Sequence, residues 1–312
     1  MTARHMLADD DLTPAEQAHV LDLAARLKAE RHAEQPLAGP RAVAVIFDKP
    51  TLRTQLSFAT GVAELGGYPM SVDGSLAQIG TRESIADVAR VIGRQVSAIV
   101  WRTHGQDRLE ELAAHVEVPV INALTDDYHP CQLLADLLTI REHKGGTAGR
   151  TLAYVGDGAN NMAHSYLLSC AMAGMHVRIG TTATHQPTAD VLARAQAIAA
   201  EQGGSVLVTD DPVGAVTGAD VVATDTWVSM GMEEEKGGRT GETSPFTPFA
   251  VTRELLAHAA PDAIVLHCLP AYRGLEIEAE VIDGGQSVVW DEAENRLHAQ
   301  KALLTFLLTA SS

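Results

Sequence analysis

The stretch TLAYVGDGANNMAHSYLLSCAMAGMHVRIGT, residues 151–181, decides the fold class because two strand-like runs flank a segment of helical character. The runs TLAYVGD and HVRIGT have the length and the β-branched content of buried strands. The same alternation continues towards the C-terminus through the runs SVLVTD, DVVATDTW, AIVLHCLP and SVVWDE. Strands that are apolar throughout and alternate with helices are typical of a parallel sheet covered by helices on both faces.

The first half of the chain shows the same pattern. Apolar runs predict strands at AVAVIF (42–47), AIVW (98–101) and VPVINA (118–123). Helices are predicted after the capping-box sequence Thr13-Pro14-Ala15-Glu16, from Leu56 to Leu65, and from Pro130 onwards. The sequence therefore predicts an α/β protein of two tandem α/β domains, each a mostly parallel sheet flanked by helices.

A turn-rich break, HKGGTAGR (143–150), separates the two halves. We predict a first domain over residues 1–145 and a second over residues 146–312. The segment from Leu297 to Leu308 has helical periodicity, and we expect this C-terminal helix to pack back on the first domain. The irregular stretch 232–248, rich in glycine and charge, is predicted to be a mobile lid.

Composition excludes several classes of protein. The 312 residues carry a net charge of −17 without any Lys/Arg block, which argues against nucleic acids and anionic membranes as partners. No apolar run approaches the roughly 20 residues that span a bilayer, and the N-terminus lacks the pattern of a secretory signal. Three cysteines without a CxxC pair do not form a disulfide framework. We expect a cytoplasmic protein with reduced thiols.

Cations and hydroxyls gather where the first strand meets the next helix, in FDKPTLRTQLSF (47–58). A helix N-terminus presents unpaired N–H groups and the positive end of the helix dipole. Preceded by Thr51, Arg53 and Thr54, it forms a cradle for a phosphate group, and arginine adds a fork that binds two oxygens. The alternative is structural, with Arg53 a solvated loop residue and the threonines acting as caps.

Further polar side chains lie at other strand ends. Arg102 follows one strand, His129 and Gln132 open a helix, and His267 with Cys268 closes a later strand, while Arg296 precedes the final helix. Each could be structural by itself. Because the carboxyl ends of parallel strands meet at one edge of a sheet, their joint occurrence predicts a binding site for an anion.

Five motifs now identify a resemblance. They are Thr51-Leu52-Arg53-Thr54-Gln55, His129-Pro130-Cys131-Gln132, Asp157-Gly158-Ala159-Asn160-Asn161-Met162, Asp225-Thr226-Trp227-Val228-Ser229-Met230-Gly231 and His267-Cys268-Leu269-Pro270. In order and separation they resemble the motifs of the aspartate/ornithine carbamoyltransferase family over nearly the whole chain. The Ser-Met-Gly and His-Cys-Leu-Pro motifs resemble the ornithine branch of that family.

The resemblance implies a carbamoyltransferase that moves the carbamoyl group of carbamoyl phosphate to the side-chain amine of ornithine, giving citrulline and phosphate in arginine biosynthesis. It implies a carbamoyl-phosphate-binding first domain and an ornithine-binding second domain, with no cofactor and no metal. It also implies a homotrimer whose active sites are shared, with Gln78 donated by a neighbouring subunit.

The resemblance also assigns roles to residues. Catalytic roles fall to Arg53, Arg102, His129, Cys268 and Arg296. The residues expected to bind carbamoyl phosphate are Thr51, Leu52, Arg53, Thr54, Gln78, Arg102, His129, Gln132, Cys268, Leu269 and Arg296. The residues expected to grip the amino acid are Asn161, Asp225, Ser229 and Met230. Cys268 is expected to orient the amine, because the side chain of His267, adjacent on a strand, would point the opposite way and would not activate the thiol.

The first loop departs from the family pattern Ser-Thr-Arg-Thr-Arg at Thr51, Leu52 and Gln55. Two alternatives therefore stay open: a carbamoyltransferase for 2,3-diaminopropionate or a modified ornithine in antibiotic biosynthesis, and a non-catalytic paralogue that binds carbamoyl phosphate. A nucleotide-binding oxidoreductase is a third hypothesis, suggested by YVGDGANNM. It is disfavoured because Asn161 stands where the dinucleotide fingerprint needs a glycine.

Overall fold

The computed structural model describes residues 3–228, 236–241 and 243–310. The chain divides into two compact units. Unit 1 comprises Met1–Leu138 and Glu294–Ser312, and unit 2 comprises Thr139–Ala293. Among the described residues, no helix combines the length with the apolar character that a bilayer-spanning segment needs.

Unit 1 contains a four-stranded parallel sheet of order β2-β1-β3-β4. Its strands are β1 (Ala42–Phe47), β2 (Tyr68–Asp73), β3 (Ala98–Arg102) and β4 (Val120–Leu124). β1, β3 and β4 confirm the predicted strands. β2 was not predicted, because it lies at the sheet edge, is largely exposed and contains Pro69, so its sequence lacks a buried apolar run.

The helices of unit 1 follow local signals in the sequence. They are α1 (Pro14–Ala29), α2 (Arg53–Glu64), α3 (Gly74–Ala77), α4 (Ile85–Ile92), α5 (Gln106–Ala113) and the first part of α6 (Pro130–Lys144). The Thr13 side chain accepts a hydrogen bond from Glu16 N, and Glu16 accepts one from Thr13 N, so the capping box at α1 is confirmed. α2 begins three residues before the predicted start, which places Arg53 and Thr54 in its first turn.

Unit 2 contains a five-stranded parallel sheet of order β7-β6-β5-β8-β9. Its strands are β5 (Thr151–Gly156), β6 (His176–Thr181), β7 (Ser205–Thr209), β8 (Val221–Thr224) and β9 (Ile264–His267). The helices of this unit include α7 (Asn161–Met172), α8 (Ala189–Gln202), α9 (Pro212–Val216), α10 (Lys236–Thr240) and α11 (Arg253–Leu256) between strands, and α12 (Ala279–Ile282) after the last strand. A cluster of buried apolar side chains packs on this sheet. Its members are scattered along the sequence, the first being Ala153 and the last Val289.

The predicted strand SVVWDE is wrong. Helix α13 (Val289–Ala310) takes up most of this run, and only Ser287 forms an isolated bridge, with Val265. The Glu292 carboxylate accepts a hydrogen bond from His267 N at 2.8 Å, which ties the first turn of α13 to the end of β9. This long-range bond outweighs the β preference of two valines.

The predicted C-terminal helix lies within α13, and its residues from Glu294 onwards belong to unit 1. Within that unit, Lys28 Nζ donates to Asn295 Oδ1 at 2.8 Å, and the fully buried Lys301 donates to Glu64 Oε2 at 2.7 Å. The helix therefore packs back on the first unit, and the predicted fold class is confirmed.

Candidate functional site

The site in unit 1 begins where the strand order reverses. The chain passes from β1 to β2 on one side of the sheet and from β3 to β4 on the other, so β1 and β3 flank a topological switch point. In the register of these strands Phe47 lies beside Arg102, and the loop after Phe47 leads into α2 at Arg53. A crevice at the carboxyl ends of such strands is where open α/β sheets bind ligands.

The N-terminus of α2 has the form of an anion cradle. Leu52 occupies the N-cap and makes no side-chain capping bond, and the first intrahelical bond runs from Leu56 N to Leu52 O. The backbone N–H groups of residues 53–55 therefore precede the intrahelical ladder. Arg53 Nε is buried and has no hydrogen-bond partner among the described residues. These donors suit a phosphate group.

Three arginines lie near enough to His129 for their charges to affect its pKa, and His129 is itself buried just before α6. Burial, together with the positive charges of Arg296, Arg102 and Arg53, lowers the pKa of His129 well below its ordinary value. The imidazole is therefore neutral at pH 7. Arg296 Nη2 donates to Thr54 Oγ1 at 2.8 Å, which joins the final helix to the first turn of α2. The structure thus brings together five of the residues that were predicted to bind carbamoyl phosphate.

Gln132 lies in the first turn of α6, and its position is fixed from two sides. Its backbone N donates to His129 O at 3.0 Å, and its side-chain Nε2 donates to Asp136 Oδ1 at 2.8 Å. The neighbouring Cys131 is buried, and burial raises the pKa of its thiol to about 12, so this cysteine is chemically inert.

A cavity of about 440 Å³ opens beside the loop that follows β1. It is lined by Phe47, Asp48, Lys49, Pro50, Thr51, Gln55, Ser71, Val72 and Asp73. Asp48 accepts a hydrogen bond from Thr103 Oγ1 at 2.6 Å, and Lys49 pairs with Asp126. Two of the three residues that depart from the family loop, Thr51 and Gln55, therefore border one concave surface, while the third, Leu52, is exposed.

Two predicted site residues have an unusual backbone. Gln78 has φ 50° and Leu269 has φ 55°, and they are the non-glycine residues with positive φ in the described ranges. Side chains with a Cβ atom avoid this left-handed region, and such strain concentrates at functional sites. Gln78 is exposed in unit 1, whereas Leu269 is partly buried in unit 2.

Unit 2 has its own switch point, between β5 and β8. The loop after β5 carries Asn160, whose Oδ1 accepts from Ala163 N at 2.9 Å and caps α7, so Asn161 opens that helix. Asp225 follows β8. Its carboxylate accepts hydrogen bonds from Cys268 Sγ at 3.1 Å and from Thr226 N at 2.7 Å. The structure therefore places Asn161, Asp225 and Cys268 at the same edge of the sheet.

Asp225 is a buried acid suited to a cationic ligand. Burial raises the pKa of its carboxyl group, and the proximity of His267 and the Cys268 hydrogen bond offset that rise in part. A carboxylate in such surroundings gains most from a positive charge placed beside it. An ammonium group is the matching ligand.

The expected orientation of His267 relative to Cys268 is wrong. β9 ends at His267, so the alternation of side chains along a strand does not extend to Cys268. Three atoms lie within 4.8 Å of one another: a ring nitrogen of His267, the Sγ atom of Cys268 and a carboxylate oxygen of Asp225. His267 Nδ1 accepts from Leu269 N at 2.9 Å, and Nε2 contacts Glu276 Oε1 at 3.2 Å. The imidazole thus holds the Leu269 backbone.

Tyr154 and Arg239 contribute to this region but were not predicted from the sequence. Tyr154 Oη donates to Asp157 O at 3.3 Å and accepts from Asn160 Nδ2 at 2.9 Å, and burial raises the pKa of the Tyr154 hydroxyl. Arg239 donates to Asp157. Tyr154 sits inside an apolar run that carried no functional signal. The predicted ligands Ser229 and Met230 lie outside the described residues, and the predicted lid is described only at 236–241 and 243–248.

Comparison with protein families gives two matches that together cover most of the chain. The aspartate/ornithine carbamoyltransferase carbamoyl-P binding domain matches residues 4–142. The Asp/Orn binding domain of the same family matches residues 148–307.

Individual proteins are similar over their full length. An ornithine carbamoyltransferase of Clavibacter sepedonicus is 64% identical over 308 residues, with 99% of each chain covered. One of Renibacterium salmoninarum is 61% identical over 312 residues, again with 99% of each covered. Among solved structures, ornithine carbamoyltransferase from Gloeobacter violaceus has a TM-score of 0.88 at 43% identity, covering 98% of this chain and 99% of its own. The anabolic enzyme from Campylobacter jejuni has a TM-score of 0.92 at 35% identity, covering 99% and 100%.

Proposed function

Because the chain belongs to the aspartate/ornithine carbamoyltransferase family, we propose that it transfers the carbamoyl group of carbamoyl phosphate to the side-chain amine of L-ornithine. The products are L-citrulline and phosphate. The observation that carries the proposal is the convergence of Arg53, Arg102 and Arg296 on a neutral His129, within the part of the chain that matches the two family models.

The donor is a small dianion, and its phosphate gathers charge as it departs. The N–H groups of residues 53–55, with Arg53, Thr54 and Arg102, bind the phosphate oxygens and stabilise that charge. The carbamoyl carbonyl oxygen becomes negative as the amine attacks. His129 and Arg296 donate to this oxygen, and a neutral imidazole is suited to donate without holding a charge of its own. Gln132 holds the carbamoyl NH₂ group.

The acceptor is bound through groups that it keeps throughout the reaction. The Asp225 carboxylate pairs with the α-ammonium of ornithine, which supplies a cation beside this buried acid. Asn161 binds the α-carboxylate, and Cys268 orients the reacting amine. Ser229 and Met230 are further proposed contacts outside the described residues.

The chemical step joins the neutral side-chain amine to the carbamoyl carbon and breaks the bond from that carbon to the phosphate oxygen. The amine loses one proton, which the departing phosphate accepts. The free amine has a pKa of roughly 10.4, so binding among cations favours the neutral form that attacks. Holding two reactants in line accounts for much of the remaining acceleration.

We also propose roles for the two parts of the chain, a pathway, a cellular location and an assembly. Residues 1–145, together with the C-terminal helix that returns to the first unit, bind carbamoyl phosphate, and the rest of residues 146–312 binds ornithine. The enzyme serves arginine biosynthesis in the cytoplasm, in keeping with its free cysteines Cys131, Cys170 and Cys268. It assembles as a homotrimer, in which a neighbouring subunit contributes Gln78. The exposure and left-handed φ of Gln78 support a role outside its own subunit.

The test is a panel assay of ureido products with carbamoyl phosphate and ornithine, N-acetylornithine, putrescine, lysine or 2,3-diaminopropionate. We expect ornithine to give the highest kcat/KM. Faster turnover of another amine would show that this amine, and not ornithine, is the acceptor. If no amine gives a product, the protein binds carbamoyl phosphate without catalysing the transfer. Light scattering tests the assembly separately, and a mass of one chain would contradict the trimer.

A further inference from the structure

A single guanidinium joins two loops of unit 2 that carry the proposed acceptor contacts. Arg239, in α10, donates through Nη1 to Asp157 Oδ2 at 2.6 Å and to Trp227 O at 3.1 Å. Asp157 lies between β5 and Asn161, whereas Trp227 lies two residues after Asp225. Because β5 and β8 are neighbours in the sheet, Arg239 joins the two loops that flank the switch point.

This bridge is shielded from water. The Arg239 side chain is 12% exposed and the Asp157 side chain is 5% exposed. The guanidinium also lies over the ring of Phe246 at 5.5 Å, and Phe246 is fully buried. An ion pair in such surroundings is little screened by salt, and loss of one partner leaves the other charge buried without compensation.

A third loop is tied to the same group. The Phe246 ring meets the ring of His185 edge-on at 4.6 Å. Thr181 Oγ1 donates to His185 O at 2.9 Å and accepts from Gly158 N at 2.9 Å. The loops after β5, β6 and β8 therefore share one network, and Arg239 is a member with contacts to two of them.

We propose that Arg239 is a positioning residue for the acceptor: through Asp157 and Trp227 it fixes the relative placement of Asn161 and Asp225. The inference rests on the proposed function, because those two residues are its acceptor contacts. Arg239 acts on the substrate through these loops, since its guanidinium contacts Asp157, the Trp227 carbonyl and the Phe246 ring. Its loss therefore weakens acceptor binding and spares the donor-binding groups of unit 1.

Steady-state kinetics of Arg239→Met, Arg239→Lys and Asp157→Asn test this inference. For Arg239→Met we expect the ornithine KM to rise about ten- to hundredfold, the range for a lost charge-assisted bond, with less than about a twofold change in the carbamoyl phosphate KM. Arg239→Lys restores part of the loss. The effects of Arg239→Met and Asp157→Asn combine less than multiplicatively, because both break one pair. Arg194→Gln, on the exposed i,i+4 pair with Asp190, is the control and leaves both KM values unchanged.

Hydrogen exchange gives a readout that does not depend on activity. Arg239→Met should exchange faster than wild type at residues 157–163 and 225–228, with unit 1 unchanged. Equal increases of both KM values, or unchanged exchange in these segments, would overturn the inference. If Arg239→Met does not fold, Asp157→Asn decides by the same two measurements. A wild-type protein that forms no citrulline refutes the proposed function, and the exchange comparison still decides whether Arg239 holds the loops.

Discussion

Replacing Asp225 with asparagine is expected to move activity and stability in opposite directions. Asp225 is buried, and its carboxylate faces Cys268 Sγ and Thr226 N. Asparagine has nearly the same shape, and its carbonyl oxygen can still accept one of these bonds. The variant therefore removes the negative charge with little change in packing.

The effect on activity follows from the proposed pairing with the α-ammonium of ornithine. Truncating one partner of a buried charge pair costs about 2–5 kcal/mol. That cost lowers kcat/KM for ornithine by roughly 30-fold to several thousand-fold. The KM for carbamoyl phosphate should stay within about twofold of wild type, because the charge lost belongs to the acceptor contacts.

The effect on stability follows from the direction of the pKa shift. Burial raises the pKa of the Asp225 carboxyl group above its ordinary value of 3.8. The stabilisation from its protonated form is therefore complete below about pH 4 and is lost as the pH rises through the raised folded-state pKa. The substituted amide has no proton to lose, so Asp225→Asn should be more stable than the ligand-free wild type at pH 8. If the substitution removes about 1–2 kcal/mol of the cost of burying the ionised carboxylate, Tm rises by about 2–8 °C.

The assay pairs citrulline formation with scanning calorimetry at pH 8 and pH 4. We expect a higher Tm for Asp225→Asn at pH 8, a difference that shrinks at pH 4, and a loss of ornithine turnover. Asp190→Asn, at a side chain that is 80% exposed, serves as the control and should change neither property. A lower Tm at pH 8, or a loss of kcat/KM for ornithine below about threefold, would refute the reasoning.

Three further predictions concern other groups. Arg296→Met should raise the KM for carbamoyl phosphate about tenfold or more. It should also raise the pKa of His129, measured by NMR, because one of the three arginines that lower this pKa is gone. An unchanged His129 titration would contradict the proximity of Arg296 to His129. Arg4 lowers the pKa of Glu16 to about 2 from 4.5, so this pair stabilises the fold above about pH 4.5 and the benefit is lost as the pH falls towards 2. Glu16→Gln should flatten the acid limb of stability in that window, whereas Glu201→Gln, at an exposed position, should not. In native protein Cys268 should react with iodoacetamide before the buried Cys131 and Cys170, and Cys268→Ala should abolish the early modification; equal labelling of all three by mass spectrometry would count against the described burial.

Features set by neighbouring residues were predicted well. The capping box at Thr13, the strand of residues 42–47 and the helix from Pro130 all follow signals within a few positions of one another. Two other elements were predicted less well. β2 is exposed and therefore lacks an apolar run, and SVVWDE has β-branched residues but forms the start of α13 because Glu292 binds the end of β9.

The sequence by itself determined the two α/β units and the placement of the candidate residues at strand ends, because periodicity and motif spacing are local properties of the chain. Only the tertiary structure decided which groups meet. Arg296 and Thr54 are 242 positions apart, and Arg239 and Asp157 are 82 apart, so no local pattern relates them. The tertiary structure also decided their chemistry, because burial and neighbouring charges lower the pKa of His129 and burial raises that of Asp225.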